Sequence, residues 1–174
     1  MLFRSRAIIC IGYKWQGSGR AKALTWDAQQ CDRAMLAEFI EVANEADEIV
    51  MHNGDSFDLP WIKTRCIYHG IPTLPAYKTI DTLQWARRKF LFNSNRLDYI
   101  ARYLGEAGKI KTEFGLWKTI KLDNNRDALD IMVRYCKRDV EQLERVFLRM
   151  EPHMPHKTHF GVMAGGEKWH CPAC

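Results

Sequence analysis

The sequence has no apolar run approaching the roughly 18 residues that a membrane-spanning helix needs. Residues 1–6 are basic, but the apolar stretch behind them, Ala7 to Gly12, is too short for a signal peptide. Cysteines are scattered along the chain, and only the last two, Cys171 and Cys174, have a paired spacing. This distribution argues against a disulfide scaffold, so we expect a reducing, cytoplasmic environment.

Acidic residues are absent from the first 25 positions, which carry five basic side chains. Residues 26–58 then carry nine acids and one base, whereas residues 61–122 carry twelve bases and four acids. Aromatic residues are interleaved with the basic segment, a pattern that suits nucleic acid because bases stack on rings and Lys and Arg neutralise phosphates. The charge alone favours the other interpretation, a solvated basic face above core aromatics.

The composition is that of one globular domain: 174 residues, of which 47% are hydrophobic and 27% charged. Short β-branched apolar segments predict strands at 7–14, 22–26 and 48–52, the first two paired as a hairpin. Apolar residues at helical spacing follow a predicted N-cap near Asp27. Further helices are predicted at 59–69, 81–90, 96–104 and 127–150, and segment 106–125 is expected to be irregular. This order predicts an α/β fold with a small mixed sheet flanked by helices.

The segment from His52 to Asp58 links a predicted strand directly to a helix. Ligands bind at such strand ends in α/β sheets, which makes Asp55 and Asp58 candidate site residues. Turn chemistry is the alternative: Asn53-Gly54 bends the chain, and Asp58 caps the following helix. These residues alone favour the turn.

A second candidate, Tyr135 to Asp139, lies inside the longest predicted helix. The two side chains stand one turn apart on the same face, with Asp139 at the flank of the apolar stripe. A carboxylate there can point into a crevice between helix and sheet. Spacing alone favours a surface acid paired with Arg or Lys.

Taken together, the two segments point to a protein family more specifically than either segment does alone. A strand followed by Asn-x-x-x-Phe-Asp and, some 80 residues later, Tyr-x-x-x-Asp on the last long helix resembles the DEDDy 3′–5′ exonucleases of the ribonuclease H-like superfamily. More narrowly, the chain is similar to predicted exonucleases related to the proofreading domain of B-family DNA polymerases. The connecting stretches that match are Ile80 to Leu83, Ser94 to Tyr99, and Lys109 with Lys111.

The resemblance implies metal-dependent hydrolysis of phosphodiester bonds at single-stranded nucleic-acid 3′ ends, with DNA the expected substrate and RNA the alternative. It implies two ions, Mg²⁺ or Mn²⁺, held by four carboxylates. Carried onto this chain, Asp58 and Asp139 are metal ligands, and Tyr135 orients or deprotonates the attacking water. Asn53 and Phe57 would shape the pocket for the terminal nucleotide.

The family's first motif, an Asp-x-Glu on the first strand, is missing upstream of Ala7. In a ribonuclease H-like sheet that strand is central, lying between the strands predicted at 7–14 and 48–52. We therefore expect a fold without its central strand, in a chain that is a fragment or a split protein whose N-terminal segment is supplied in trans. The alternative is a catalytically deficient nucleic-acid-binding module.

The C-terminal tail offers a further metal candidate. Cys171 and Cys174 form half of a zinc ribbon, which needs four ligands. Histidines elsewhere in the tail could complete a Zn²⁺ site, but their spacing fits no motif: His153, His156, His159 and His170. We expect an exonuclease domain over residues 1–151 and a separate tail over 152–174.

Overall fold

The computed structural model describes residues 7–73, 76–106 and 115–154. Within these residues the chain forms four short strands and six α-helices, followed by a 3₁₀ turn at Glu151–His153. No helix among them is both long and apolar enough to span a membrane. In chain order the elements are β1 Cys10–Tyr13, β2 Lys22–Thr25, α1 Arg33–Glu45, β3 Ile49–Met51, α2 Asp58–His69, β4 Thr79–Asp81, α3 Thr82–Lys89, α4 Leu97–Tyr103, α5 Gly115–Leu122 and α6 Arg126–Met150.

The strands form two separate two-stranded sheets. β1 and β2 pair antiparallel, with Cys10 opposite Thr25, which confirms the predicted hairpin. β3 and β4 pair parallel, with Val50 opposite Ile80. The α/β class is therefore confirmed, and within the described residues no strand joins β1 to β3. This division agrees with the expected loss of a central strand.

Several elements differ from the sequence-based predictions. Segment 106–125 is not irregular throughout, because α5 forms there and buries Ile120 against Trp26 and Leu129. The strand β4 was not predicted, since only three residues precede the start of α3. Helix α1 begins at Arg33 with Asp32 as its N-cap residue, and Asp27 instead closes a turn by accepting the amides of Gln29 and Cys31. The three predicted strands are also shorter than expected.

Helix α6 holds the two sheets in one fold. Its C-terminal part, with Val146, Phe147 and Met150, belongs to a buried cluster with Ile80 of β4. Its N-terminal part belongs to a second buried cluster, with Trp26 at the end of β2: Ala128, Leu129 and Met132. The predicted amphipathic stripe of this helix is confirmed, and it crosses from one sheet to the other.

The approach of α6 to β1 depends on Gly12. A Cβ at this position would lie 2.7 Å from Cys136 Sγ, 2.9 Å from Val140 Cγ2 and 3.2 Å from the Cys136 carbonyl oxygen. We therefore expect Gly12→Ala to lower the free energy of unfolding by about 1–3 kcal/mol, because overpacking pushes strand and helix apart. Chemical denaturation measures this, with Gly19→Ala as control, since a Cβ there meets nothing within 4 Å. Unchanged stability in Gly12→Ala would contradict this packing.

Candidate active site

The turn between β3 and α2 is built from two special positions. Asn53 has a left-handed backbone with φ of 67°, a conformation that Asn tolerates better than most residues. Gly54 is buried, and a Cβ there would lie 2.4 Å from Met51 Cβ, so only glycine fits. The predicted Asn-Gly turn is confirmed, and it carries the chain from the sheet into the helix that begins at Asp58.

A buried carboxylate, Asp81, holds this turn in place. Its Oδ1 accepts the amides of Asn53 at 2.9 Å and Leu83 at 3.0 Å, and its Oδ2 accepts the amide of Asp55 at 3.3 Å. Asp81 therefore both caps α3 and holds the turn between β3 and α2 in place. Only the cap has a local signal in the sequence, because the contacts with the turn join positions that are far apart in the chain.

His52 ties the end of β3 to the loop before α4. Burial lowers the pKa of His52 and keeps its ring neutral. The Nε2–H then donates to the Asn95 carbonyl at 3.0 Å, and Nδ1 lies 2.9 Å from Thr82 Oγ1, whose hydroxyl donates to the Met51 carbonyl at 3.0 Å. The imidazole thereby fixes the position of the loop that carries the exposed Arg96.

The turn interpretation is wrong about Asp58, because this residue does not cap the helix. It is the first residue of α2, the N-cap residue is Phe57, and no side chain caps this end. The exposed carboxylate opens onto a cleft, where partial desolvation raises its pKa and the negative charge of Asp81 adds to the effect, against the opposing hydrogen bond from its own backbone amide. Asp58 is therefore an acid held in a place that disfavours its charge, which is common at functional sites.

Tyr135 and Asp139 reach the same cleft from α6, one helical turn apart. Cys136, between them in sequence, has the negative charges of both Asp139 and Asp58 in its surroundings. The five residues to which the resemblance assigns a role in the exonuclease site line this one cleft of about 2140 Å³, whereas the candidate Asp55 does not: Asn53, Phe57, Asp58, Tyr135 and Asp139. The fold thus brings together two segments that lie some 80 positions apart.

The rim of the cleft supplies positive charge and two exposed aromatic rings. Arg87 and Arg96 are exposed and line it from α3 and the loop before α4. Phe57 is 57% exposed beside Asp58, and Trp117 of α5 is 47% exposed. Cations and open rings around a pair of acids form a surface that fits a nucleic-acid strand.

A family model, RNase_H_2 of the RNase_H superfamily, matches residues 3–151. The chain belongs to the RNase_H superfamily. No curated protein matches the chain. Membership indicates a nuclease-type hydrolase that acts on nucleic acid, and nucleases of this superfamily usually use divalent metal ions.

The residues of this RNase_H-superfamily site fit a hard divalent cation in part. Asp58 and Asp139 offer oxygen ligands in one cleft, the donors that Mg²⁺ and Mn²⁺ prefer. A cation there would offset the partial desolvation and the Asp81 charge that raise the pKa of Asp58. Asp81 is unsuited to the same task, because it is buried outside the lining of the cleft and its oxygens accept the amides of the turn. Asp58 and Asp139 therefore account for two ligands of the expected four.

The only Asp-x-Glu spacing in the sequence, Asp139 to Glu141, does not replace the missing first motif. The two residues lie on α6, where a separation of two positions turns the side chains about 200° apart. Glu141 also accepts the backbone amide of Ala21 beside β2. Glu141 therefore faces away from the cleft that Asp139 lines.

A second polar cluster, which sequence analysis missed, is an ion-pair network. Cys31, Asp32 and His69 lie close enough to suggest a metal site. However, Arg65 donates to both oxygens of Asp32, at 2.8 and 2.6 Å, and a cation would have to compete with that guanidinium. This cluster does not fit a metal ion. The predicted Zn²⁺ ligands Cys171 and Cys174 lie outside the described residues.

Proposed function

We propose that the chain is the core of a DEDDy-type 3′–5′ exonuclease, a metal-dependent hydrolase that removes nucleotides from a free 3′ end. The observation that carries the proposal is the meeting of Asp58 and Asp139 with Tyr135 in one cleft. Two carboxylates from distant segments beside a phenol form the kind of site that phosphodiester hydrolysis uses. Bound metal ions would generate hydroxide and stabilise the attacking and leaving oxygens.

The chain's own residues would position the substrate. Phe57, with its exposed ring, stacks on the terminal base, and Asn53 on the fixed turn shapes the space beside it. The Tyr135 hydroxyl orients the attacking water as a hydrogen-bonding partner. Arg87 and Arg96 hold the strand through its phosphates.

Single-stranded DNA is the substrate we propose. A lone strand presents its bases to open rings such as Phe57 and Trp117, whereas a duplex hides them. A non-catalytic nucleic-acid-binding module is the second candidate, because the family motifs found in this chain account for only two of the four expected carboxylates. We propose that the other two come from a segment outside the described residues. The division into a domain at 1–151 and a tail at 152–174, and the cytoplasmic location, remain predictions.

The test follows a single-stranded oligonucleotide labelled at its 5′ end. With Mn²⁺ and an added segment that carries Asp-x-Glu, we expect stepwise shortening from the 3′ end, and little or no shortening by the 174-residue chain alone. A substrate blocked by an inverted 3′ nucleotide is the control and should stay intact. Binding without hydrolysis under both conditions would contradict the exonuclease and support the binding module. An RNA oligonucleotide of the same sequence measures the preference for DNA.

A further inference from the structure

Two cysteine thiols that the proposed mechanism does not use meet in the wall of the cleft. Cys10 lies on β1 and Cys136 on α6, and both residues line the cleft. Their thiols form a hydrogen bond with each other, and both cysteines are free and half-buried. The fold thus builds a dithiol that the scattered positions of the cysteines in the sequence did not indicate.

The strand β1 is shaped to let these two sulfurs meet. Cys10 and Gly12 are two positions apart on one strand, so they face the same side of it. Because Gly12 has no side chain, Cys136 Sγ lies only 2.7 Å from the position that a Cβ would occupy there, and the Gly12 amide donates to this sulfur. Cys10 packs against the buried cluster that contains Met132 of α6. The Cys136 sulfur is therefore held against β1 beside the Cys10 thiol.

A pair of thiols in contact can hold a soft metal ion or can be oxidised to a disulfide. A protein zinc site takes three or four ligands from side chains. Within the part of the chain that the structure describes, no third metal-ligating group lies close to both sulfurs. The pair is therefore better suited to oxidation than to holding a metal ion.

The surroundings of the two sulfurs give them different roles. The hydrogen bonds from Cys10 and from the Gly12 amide lower the pKa of Cys136, although desolvation and the charges of Asp139 and Asp58 oppose them. The same hydrogen bond between the thiols, together with burial, raises the pKa of Cys10. The thiolate is the attacking form of a cysteine, so this difference makes Cys136 the first sulfur to react and Cys10 the second.

We propose that Cys10 and Cys136 are a redox-active pair, which a small disulfide such as oxidised glutathione converts into a reversible cross-link between β1 and α6. Cys136 attacks one sulfur of the small disulfide, which forms a mixed disulfide and releases one small thiolate. Cys10 then attacks Cys136 Sγ, and the second small thiolate leaves. The protein thiols lose two electrons to the small disulfide, and their two protons pass through the solvent to the two released thiolates. In reducing compartments such bonds are transient, as in redox sensors.

The cross-link would also act on the proposed active site, because Cys136 lies on the same turn of α6 as Tyr135 and Asp139. To form the bond, the sulfurs must come closer than hydrogen-bond contact, to about 2.05 Å. Close-packed interiors pass such a movement on to neighbouring groups, and catalytic groups must be placed to within about 0.5 Å. We therefore expect oxidation to slow hydrolysis; this consequence rests on the proposed exonuclease function, whereas the cross-link does not.

The cross-link is tested by tryptic peptide mapping of the folded chain, without reductant, after incubation with oxidised glutathione. Trypsin should release it as one species in which residues 7–14 are joined to residues 135–137. The wild type is mapped beside a chain that carries Ser at three competing positions: Cys31→Ser, Cys171→Ser and Cys174→Ser. We expect the joined species in both proteins, and one free thiol in the variant, that of the fully buried Cys66. Free thiols or separate mixed disulfides at Cys10 and Cys136 would overturn the proposal.

Two controls tie the cross-link to the folded geometry. The ratio of cross-link to mixed disulfide measures the effective concentration of the two thiols, which should be at least about tenfold higher in the folded chain than in urea. Cys10→Ser removes the second thiol, so its reaction should stop at the mixed disulfide on Cys136. Equal ratios in the folded and the unfolded chain would overturn the proposal, because an unfolded chain brings cysteines together only by chance.

The effect on hydrolysis has its own readout. With Mn²⁺ and the added segment that carries Asp-x-Glu, the cross-linked chain should shorten the labelled oligonucleotide at least about tenfold more slowly than the reduced chain, and a phosphine reductant should restore the rate. The double variant Cys10→Ser with Cys136→Ser has no thiol lining the cleft and should not respond to glutathione. Equal rates for the cross-linked and reduced chains would contradict control of the site by the redox pair. A cross-link with no hydrolysis by either form would contradict the exonuclease and leave the redox pair intact.

Discussion

Asp139→Asn is expected to lower the rate of 3′-end hydrolysis by about 100-fold or more, while DNA binding changes little. Changing a residue that merely supports a metal ligand already costs about 10- to 100-fold, and Asp139 is proposed as a ligand itself. Asparagine keeps the size of the side chain but lacks the negative charge that holds a cation. Asp58→Asn should behave in the same way. The assay uses the labelled oligonucleotide with Mn²⁺ and the added segment that carries Asp-x-Glu.

Asp55→Asn provides the matched control for this series. Asp55 precedes Asp58 by three positions, but its carboxylate accepts from Gln84 Nε2 at 3.0 Å and does not line the cleft. The Asp55→Asn variant should hydrolyse the oligonucleotide at close to the wild-type rate. The hydrolysis rate of Tyr135→Phe should lie between those of Asp139→Asn and Asp55→Asn, because this change removes a hydroxyl that orients water and leaves both metal ligands in place. Wild-type-like hydrolysis by Asp139→Asn would contradict the assignment of this site.

The parts of the fold that were predictable have strong local patterns. Helix α6 repeats apolar residues at helical spacing over 25 residues, and its predicted start differs from the observed one by a single position. By contrast, β4 has three residues and is followed at once by a helix, so its pattern is too short to read. Helix α5 has eight residues and buries only Ile120, and a face that small gives little periodicity.

In the candidate site, too, only side chains that lie in a recognisable sequence motif could be predicted. Asp58 and Asp139 were predicted as partners because each lies in a spaced motif and the two motifs resemble one family. The network around Asp32 gave no such signal, since it joins Ile8, Arg65 and His69 from separate segments. Contacts of this kind are fixed by tertiary packing, and sequence periodicity does not encode them.

The buried Asp32 links the entry of β1 to both α1 and α2. Its Oδ2 accepts the Ile8 amide at 2.8 Å and Arg65 Nε at 2.8 Å, and its Oδ1 accepts Arg65 Nη2 at 2.6 Å. His69 Nε2 lies 2.7 Å from the same Oδ1 and donates to it. Asp32 is fully buried and Arg65 is 4% exposed, so the charge of each depends on the other.

Asp32→Ala is therefore expected to lower the free energy of unfolding by about 3–5 kcal/mol, because it leaves the Arg65 cation buried without its partner. Whole domains are stable by only about 5–15 kcal/mol, so the variant should unfold at much lower urea concentration. Glu41→Gln is the control, because Glu41 is an exposed residue of α1, the helix that follows Asp32, and this change should alter stability by less than about 0.5 kcal/mol. The double variant Asp32→Leu with Arg65→Met should be more stable than Asp32→Ala. Equal stability of Asp32→Ala and wild type would contradict the network.

The same network predicts how stability depends on pH. Burial alone would raise the pKa of Asp32, but hydrogen bonds from Arg65, the Ile8 amide and His69 outweigh it and hold the pKa at about 2, below the ordinary value of 3.8. Because its pKa is lower in the folded state, ionised Asp32 stabilises the folded protein fully above about pH 4, and this stabilisation is lost as the pH falls towards 2. The difference in unfolding free energy between wild type and Asp32→Ala should then shrink by about 2 kcal/mol between about pH 5 and pH 2. Urea titrations of both proteins across that range measure it. A constant difference would show that Asp32 acts through packing and not through its charge, because packing alone does not titrate.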